Sequence, residues 1–346
     1  MLVYIKENEP RRAEKIAMMY GIPNWTHNPS DVLSHPEVDA VIICSPTDKH
    51  AEQIIEAAKN KKHIFCEKPV DLNLEIVDKA INATKDAGVK LMIGFQRRFD
   101  ANFVRIKQAI DHDEIGKVHM IRITSLDEVY AMTQSVNPDI AAAGDIDTAV
   151  VLLKFRNGVI CSIENSREAA YGYDQRVEVL GSKGSAACDN KHSNQVVVST
   201  NECVRRDLPL HFFLERYMDA YVAEMEAFIR LCITDGASAP VSGEDGREAL
   251  LLALAANKSM AENRPVKVDE LRYRSLKYDS VEHRTEALDS IESHEVVNIV
   301  LQMFLGVQFT NIQYFEFFRR LLFFLLNSLV ILPRERQHSL RRRVHH

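Results

Sequence analysis

The sequence predicts an α/β fold in two parts: a domain with a parallel sheet, and then a domain with a mostly antiparallel open sheet. Up to about residue 116, apolar runs such as 40–44 and 63–66 alternate with amphipathic helical segments. This pattern is typical of buried parallel strands that helices cover on both faces. Farther along, β-rich runs follow one another directly, and Asn157-Gly158 is a strong hairpin signal between two of them. A chain of 346 residues is long enough for two such domains.

Composition and charge favour a globular protein of the cytoplasm. Hydrophobic residues make up 46% of the chain and charged residues 27%, and the formal net charge is −6. An acidic chain without a basic field is not expected to bind nucleic acid. The six cysteines are scattered without a CxxC motif, which favours free thiols in a reducing compartment over disulfides or a zinc site. The first residues show no secretory signal pattern, so we expect a cytoplasmic location.

The parallel-sheet domain is expected to cover residues 1–116. It opens with a strand at 2–7, and three strand–helix pairs follow. The predicted pairs are strand 40–44 with helix 47–59, strand 63–66 with helix 74–87, and strand 90–94 with helix 102–112. Gly88 is expected to end the second of these helices.

The second domain is expected to cover residues 117–274. Its predicted strands are 118–125, 128–133, 148–155, 159–165, 176–180 and 195–199. A second turn is expected at 181–184. Two helices follow, 215–233 and 244–262, and Ser242-Gly243 is expected to cap the latter. The first of these helices carries four large side chains at helical spacing, which are Tyr217, Tyr221, Met225 and Phe228.

Residues 275–346 form an atypical tail. Seven of the 15 phenylalanines lie beyond Ser275. The apolar run 321–332 is shorter than the about 20 residues that a helix needs to span a bilayer, and Glu316 nearby would be costly in lipid. Three interpretations stay open: a helix that docks on this protein or a partner, an interfacial membrane helix, and sequence without a selected fold. Membrane contact is the least favoured of them.

The tripeptide Glu67-Lys68-Pro69 follows the apolar run 63–66 and is the leading candidate for chemistry. Ligands of open parallel sheets bind beside the carboxyl ends of the strands. A lysine that is partly shielded from water at that place has a lowered pKa, and it can then exchange a proton with a substrate hydroxyl. The alternative is a surface lysine paired with Glu67 at a strand end.

The preceding strand end carries a second candidate segment, residues 45–50. Proline and threonine there predict a tight strand-to-helix turn whose backbone N–H groups can face a cofactor. The alternative is ordinary helix capping by Ser45 or Thr47.

The following strand end carries a third candidate segment, residues 94–100. Gln96 and Arg97 can bind hydroxyl groups or a phosphate. The alternative is a solvent-exposed loop in which Arg98 pairs with Asp100.

Several motifs together resemble one known family. In order along the chain they are CSPTDKH at 44–50, EKP at 67–69, GFQRRFD at 94–100, AGDIDTAVVLLKFRNG at 143–158 and YGYDQRVEVLGSKG at 171–184. This set resembles the glucose–fructose oxidoreductase and inositol dehydrogenase family, and within it the inositol 2-dehydrogenases. The resemblance extends from about residue 5 to residue 268. EKP alone is a weak signal, whereas the ordered set is specific.

The resemblance implies a Rossmann domain that binds NAD or NADP, with NAD favoured, and a second domain whose open sheet binds substrate and forms homo-oligomers. The implied substrate is a cyclic polyol such as myo-inositol, which transfers a hydride from a secondary alcohol to nicotinamide. Lys68 matches the catalytic lysine of the family. Cofactor contacts are implied for Glu7, Ser45, Pro46, Thr47, His50, Glu67 and Lys68. Substrate contacts are implied for Gln96, Arg97, Tyr171 and Tyr173. For the two tyrosines, strand packing is an equal alternative.

The sequence departs from the family pattern in two places. Near the start there is no G-x-G-x-x-G loop, and 2–7 resemble the second strand of the domain. Glu7 is placed there to bind the ribose 2′-OH or to end a solvated strand. The strands at 2–7 and 40–44 are therefore expected to lack their shared neighbour. Around Ser125-Leu126, the D-x-x-x-H pair that supplies the general acid/base histidine of the family is skipped.

These departures predict that the chain oxidises inositol poorly or not at all, with Lys68 as the remaining proton relay. Two alternatives stay open beside a slow enzyme. One is a non-catalytic binding or scaffolding homologue that keeps its dimer-forming sheet. The other is an incomplete or alternatively spliced product.

Overall fold

The computed structural model describes residues 4–6, 10–120, 126–231 and 237–275. Contacts divide the described residues into two compact units, one up to Val41 and one from Ile42 onward. The tail beyond Ser275, for which three interpretations were open, lies outside the described residues.

The described part of the first unit contains two short strands and two helices. In chain order these are β1 (Tyr4–Lys6), α1 (Pro10–Tyr20), β2 (Asn24–Thr26) and α2 (Pro29–Leu33). Strands β1 and β2 pair in parallel, with Ile5 opposite Trp25. Parallel neighbours need a crossover connection, and helix α1 supplies it. Ala17 and Ile22 are buried in this unit.

A three-stranded sheet follows, with strands and helices alternating. Its elements are β3 (Ala40–Ile43), α3 (His50–Lys59), β4 (His63–Glu67), α4 (Leu74–Ala87), β5 (Leu91–Gly94) and α5 (Ala101–Asp111). The strand order is β3-β4-β5, and β4 and β5 run parallel with Glu67 opposite Gly94. In the described residues β1 and β2 form a sheet of their own, as expected for strands without a shared neighbour.

Every predicted element of this region is present, with one difference. The helix expected at 47–59 starts as a 3-10 turn, Thr47–Lys49, and becomes α-helical only at His50. The preceding Pro46 has a ψ of 146°, so its backbone is extended, and the helical conformation begins only after it.

Helix α4 has a polar cap at its start and a left-handed residue at its end. The side chain of Asn73 accepts a hydrogen bond of 2.8 Å from the N–H of Glu75. Gly88 ends the helix with a φ of 68°, which glycine adopts without steric cost. The predicted boundaries of this helix are confirmed.

Replacing Asn73 by alanine is expected to lower the free energy of unfolding by about 1 kcal/mol. The first turn of α4 then loses its side-chain acceptor, while the exposed position changes no buried contact. Urea unfolding of N73A beside N73S, which keeps a hydroxyl acceptor, measures the difference. Equal stability of N73A and the unchanged protein would contradict the assigned cap.

The remaining described residues of the second unit form a larger sheet, a hairpin and five helices. Its elements are β6 (Val118–Met120), β7 (Leu126–Gln134), α6 (Pro138–Ala142), β8 (Thr148–Phe155), β9 (Ile160–Ser166), β10 (Val177–Gly181), β11 (Ser185–Cys188), β12 (Val197–Ser199), β13 (Val204–Arg206), α7 (Phe212–Arg216), α8 (Met218–Arg230), α9 (Gly243–Glu262), β14 (Val266–Lys267) and α10 (Asp269–Ser275). Of the strand predicted at 118–125, only the first three residues are described.

The larger sheet has seven strands in the order β11-β10-β6-β9-β8-β7-β14. All its pairs are antiparallel except the parallel pair β6–β9, so the predicted sheet type is confirmed. The predicted turns are also present. Gly158 has a φ of 87° between β8 and β9, and Gly181 N–H donates to Gly184 O at 2.8 Å between β10 and β11.

Helix α9 covers one face of the seven-stranded sheet. The Ser259 hydroxyl accepts a hydrogen bond of 3.0 Å from Ala131 N–H of β7, and Leu153 is buried on the same face. The opposite face carries large apolar side chains that stay exposed, which are Met132, Leu152 and Ile160. The sheet is therefore open on one side, as predicted.

The helix predicted at 215–233 is two helices that meet at Tyr217. Helix α7 ends at Arg216, and α8 runs from Met218 to Arg230. The predicted apolar face is confirmed, since all four of its large side chains are buried: Tyr217, Tyr221, Met225 and Phe228. The predicted cap of α9 is also confirmed as a reciprocal capping box between Ser242 and Asp245.

Candidate active site

The carboxyl ends of β4 and β5 place a carboxyl group against a glycine. A Cβ atom added at Gly94 would lie 3.1 Å from Cδ and from Oε2 of Glu67. The Glu67 side chain is 5% exposed. A bare backbone at Gly94 therefore lets this carboxyl group stay beneath the strand ends, next to Lys68.

His50 joins the turn after β3 to the turn after β4. Its Nδ1 atom lies 2.8 Å from Pro69 O, and its Nε2 atom lies 2.7 Å from Ser45 O. The side chain is 1% exposed. His50 was predicted to contact a cofactor, and in the structure both of its ring nitrogens face backbone carbonyls. His50 therefore connects the turn after β3 to the turn that contains Lys68.

The turn after β3 is also held from within. Ser45 Oγ donates to Gln53 Oε1 at 2.7 Å, and Lys49 N–H donates to Pro46 O at 2.9 Å. Neither Ser45 nor Thr47 caps helix α3 through its side chain. The backbone of residues 45–47 is therefore fixed at the sheet edge, as the prediction for a cofactor turn requires.

Lys68 and Glu67 have pKa values that burial moves toward each other. Burial lowers the pKa of Lys68 to about 8, Glu67 opposes this shift, and the Arg97 guanidinium adds to it. Burial raises the pKa of Glu67 to about 7, against the attraction of Lys68. Lys68 is half-buried. An amine with this pKa can release and accept a proton near neutral pH.

Glu224 is a third ionisable group of this site, and the sequence reasoning missed it. It lies on α8, is 1% exposed, and its Oε1 atom has no hydrogen-bond partner among the described residues. Burial, and then the charge of Glu67, raise its pKa well above the ordinary value, although the Phe95 N–H donates to it. This raised pKa favours the neutral form of the Glu224 carboxyl group, which lies close enough to Glu67 to feel its charge. A carboxylate next to Met225 on the apolar face of α8 is the signal that could have found it.

Arg97 is buried in a cluster of tyrosines. It lies in the 3-10 turn Gln96–Phe99 and is 4% exposed. Its Nη2 atom donates to Tyr173 Oη at 2.9 Å, and its guanidinium lies 5.0 Å from the ring centre of Tyr217. Since Arg97 also acts electrostatically on Lys68, the structure brings three predicted residues together: Lys68, Arg97 and Tyr173.

The other predicted substrate residues lie in different surroundings. Gln96 is buried in the same turn as Arg97. Tyr171 is 50% exposed, and its hydroxyl donates to Asp174 Oδ2 at 2.6 Å. Tyr171 and Tyr173 therefore have different hydrogen-bond partners, although one glycine separates them. Glu7 lies outside the described residues.

The alternative of an exposed Arg98–Asp100 pair is wrong. Arg98 Nη2 donates to Asp245 Oδ1 at 2.9 Å, and Arg216 Nη1 donates to Asp100 Oδ2 at 2.8 Å. Both pairs are buried, and each links the 94–100 segment to a helix that comes more than 100 residues later in the chain. Sequence proximity suggested the wrong partner because the true partners come from α7 and α9.

Cysteines and metal ligands add nothing further to this site. The five described cysteines are all free thiols. Burial raises the pKa of Cys66 well above its ordinary value, which keeps its thiol protonated. In the described part of the chain, no group of three or more His, Cys, Asp and Glu side chains is placed to hold a metal ion. No helix there is long and apolar enough to cross a membrane.

Two family models match the chain. Residues 1–95 match the oxidoreductase family with an NAD-binding Rossmann fold. Residues 124–268 match the C-terminal α/β domain of the same family. The stretch between the two matches, residues 96–123, contains α5 and β6.

Individual relatives match over most of their length. Myo-inositol 2-dehydrogenase of Thermotoga maritima is 41% identical, and the match covers 78% of this chain and 92% of that protein. Inositol 2-dehydrogenase of Rhizobium meliloti is 38% identical over 77% of this chain and 91% of the relative. The crystal structure of a probable dehydrogenase from Thermotoga maritima matches with a TM-score of 0.75 at 41% identity, covering 78% of this chain and 93% of that one.

Proposed function

Because this chain belongs to the glucose–fructose oxidoreductase and inositol dehydrogenase family, we propose that it catalyses the NAD-dependent oxidation of a cyclic polyol such as myo-inositol, with Lys68 as the proton acceptor. The observation that supports this assignment is the position of Lys68: half-buried, beside Glu67 and Arg97, with burial lowering its pKa to about 8. A proton acceptor for an alcohol needs this combination of access and acidity.

The carboxyl ends of β3, β4 and β5 fit the nicotinamide half of the cofactor. The backbone turn at 45–47 is held in place, and His50 fixes it against the turn that contains Lys68. When bound, NAD supplies the electron-poor ring that accepts the hydride. The groups that would hold it at this edge are the 45–47 backbone, Glu67 and Lys68. The contact proposed for Glu7 concerns the ribose of the other half of the cofactor.

The chain's own residues then have separate tasks. Neutral Lys68 takes the proton of the reacting hydroxyl as the C–H bond of that carbon breaks. Glu67 stabilises the resulting ammonium group, and the raised pKa of Glu224 favours the neutral form of that carboxyl group near Glu67. Arg97 and Tyr173 donate hydrogen bonds to other hydroxyl groups of the ring, with Gln96 and Tyr171 proposed as further contacts. In this proposal residues 1–116 form the dinucleotide-binding domain and residues 117–274 form the substrate domain.

The test is a spectrophotometric assay of the purified full chain with NAD⁺ or NADP⁺ and either myo- or scyllo-inositol. Reduced coenzyme that forms only when polyol is present supports the proposal. A thermal shift by coenzyme without turnover would show that the coenzyme site survives without catalysis. Neither turnover nor shift would refute the proposal and favour the non-catalytic scaffolding alternative. The same rates decide whether the chain is slow, as the missing D-x-x-x-H pair predicts.

The pH dependence of kcat/KM is expected to follow the Lys68 amine. Only the neutral amine accepts the hydroxyl proton, so kcat/KM should rise about tenfold per pH unit below pH 8 and become level above it. Because the Glu67 charge favours the ammonium form, Glu67→Gln should move the midpoint to lower pH. A pH-independent kcat/KM between pH 6 and about 9 would contradict the role of Lys68.

We also propose that the open face of the seven-stranded sheet binds a second copy of the chain. Met132, Leu152 and Ile160 are exposed there, on neighbouring strands whose facing residues are in register. An exposed apolar face of this kind is typical of an interface. The free thiols of the described cysteines support a cytoplasmic location for the assembly. Light scattering of L152E beside the unchanged protein tests the interface.

A further inference from the structure

Phe212 has a backbone conformation that a bulky side chain rarely adopts. Its φ is 53°, in the left-handed region that disfavours residues with a Cβ atom. Such a conformation persists only when the surrounding structure enforces it. Strained residues of this kind cluster at ligand sites, so the position calls for a functional explanation.

Hydrogen bonds on both sides hold Phe212 in this conformation. Leu210 N–H donates to Lys191 O at 2.9 Å. His211 N–H donates to Glu215 Oε2 at 3.0 Å, which fixes the chain as it enters α7. Pro209 lies within 3.8 Å of the Cβ position of Gly172, so this loop packs against the segment that carries Tyr173.

The strained backbone directs the Phe212 ring to Tyr173. The two ring centres are 5.3 Å apart with an interplanar angle of 71°, an edge-to-face contact. Tyr173 in turn accepts the hydrogen bond of Arg97. Phe212 is only half-buried, whereas its neighbour Phe213 is 7% exposed. Phe213 is therefore the more buried of these two neighbouring rings, whose centres are 4.7 Å apart. Phe212 keeps part of its surface exposed and lies beside Tyr173, the hydrogen-bond partner of Arg97.

We propose that Phe212 is a specificity-determining residue that contacts the polyol ring through its exposed face and fixes the Tyr173 hydroxyl. Ligand pockets combine apolar and aromatic walls with a few placed polar groups. Here the aromatic wall is Phe212 with Tyr173, and the polar groups are Arg97 and Lys68. The inference rests on the proposed function, because it assigns a contact to the same substrate.

The test compares Phe212→Gly with Phe213→Gly. In F212G the left-handed backbone loses its steric cost and the ring is removed. We expect KM for myo-inositol to rise about tenfold, the size of one lost aromatic contact, with kcat within about twofold. The Tm of F212G should equal or exceed that of the unchanged protein, whereas F213G should melt lower. F212Y, which keeps the ring, should retain the original KM.

Three outcomes separate the possibilities. A KM within about twofold of the original in F212G would overturn the inference. A loss of Tm in F212G as large as that in F213G would also overturn it, because Phe212 would then be a packing residue. If the unchanged protein neither binds nor oxidises any polyol, the proposed function fails first and the inference fails with it. If the unchanged protein oxidises a polyol but F212G gives either of the first two results, only the inference about Phe212 is refuted, and the proposed function stands.

Discussion

Replacing Lys68 by methionine is expected to lower kcat for polyol oxidation by about 10²- to 10⁴-fold, the usual contribution of a general base. Methionine has a similar length and fills the half-buried position, but it cannot accept a proton. The loss should appear in kcat and in kcat/KM together, because the amine acts in the transition state. Stopped or continuous assays of coenzyme reduction measure both constants.

Two comparisons make this result specific to proton transfer. Lys79→Met changes an exposed lysine on α4 and should leave kcat unchanged. K68M should still show a thermal shift with NAD, although a smaller one, since only the Lys68 contact is lost while the 45–47 turn and His50 are intact. A K68M variant that keeps the original rate would remove Lys68 from the mechanism, and one that no longer binds NAD would make Lys68 a cofactor ligand only.

Removing the Lys68 amine also tests the carboxyl group of Glu67. The neighbouring Lys68 ammonium group lowers the pKa of Glu67 and so opposes the effect of burial. Without that cation, less opposes burial, and the pKa of Glu67 should rise further. Because the neutral form of Glu67 is then favoured, no unpaired carboxylate is forced into the site, and the stability of K68M should stay close to that of the unchanged protein at neutral pH.

The fold of the three-stranded sheet and its helices could be predicted because the local sequence signals agree with it. Apolar strands, the Asn73 cap and Gly88 each act within a few residues of their own position, so the boundaries of α4 follow from the sequence. The break at Tyr217 could not be predicted in this way. Helical periodicity continues across it, and the interruption depends on Phe212 and on contacts with the distant 94–100 segment.

The candidate site could be predicted only in part, for a related reason. Lys68 and Arg97 follow strand ends, and parallel strands bring their ends to one edge whatever the intervening sequence. The partners of Arg98 and Asp100 come from helices far along the chain, and proximity in sequence pointed to the wrong pair. Glu224 was missed because a carboxylate on an apolar helix face contradicts the usual pattern. Its neighbour Glu67, which raises its pKa, comes from β4, and the sequence of the helix does not indicate that position.

The buried Arg216–Asp100 pair is the other feature whose loss should have a large effect. The side chains are 3% and 11% exposed, with Nη1 and Oδ2 at 2.8 Å. Arg216→Met is expected to lower the free energy of unfolding by about 3–5 kcal/mol, because it leaves the Asp100 carboxylate buried without its cation. The Asp100 side chain also accepts a hydrogen bond from Asn102 N–H at 3.1 Å, so Asp100 is the N-cap of α5 as well. Urea unfolding of R216M measures the change.

A surface pair provides the matched control for this prediction. Lys85 and Glu244 lie 2.6 Å apart with side chains that are 62% and 52% exposed, and Lys85→Met should cost no more than about 1 kcal/mol. The double variant R216M/D100N removes the unpaired charge of Asp100. It should recover part of the lost free energy of unfolding, since neutral partners avoid the burial of a lone carboxylate. If R216M and K85M are equally mild, Asp100 is not the buried anion that the geometry indicates. Arg216 also lies 4.5 Å from the ring centre of Tyr217. Because the Arg97 guanidinium packs on the same ring, the loss of Arg216 should also weaken the support of the candidate active site.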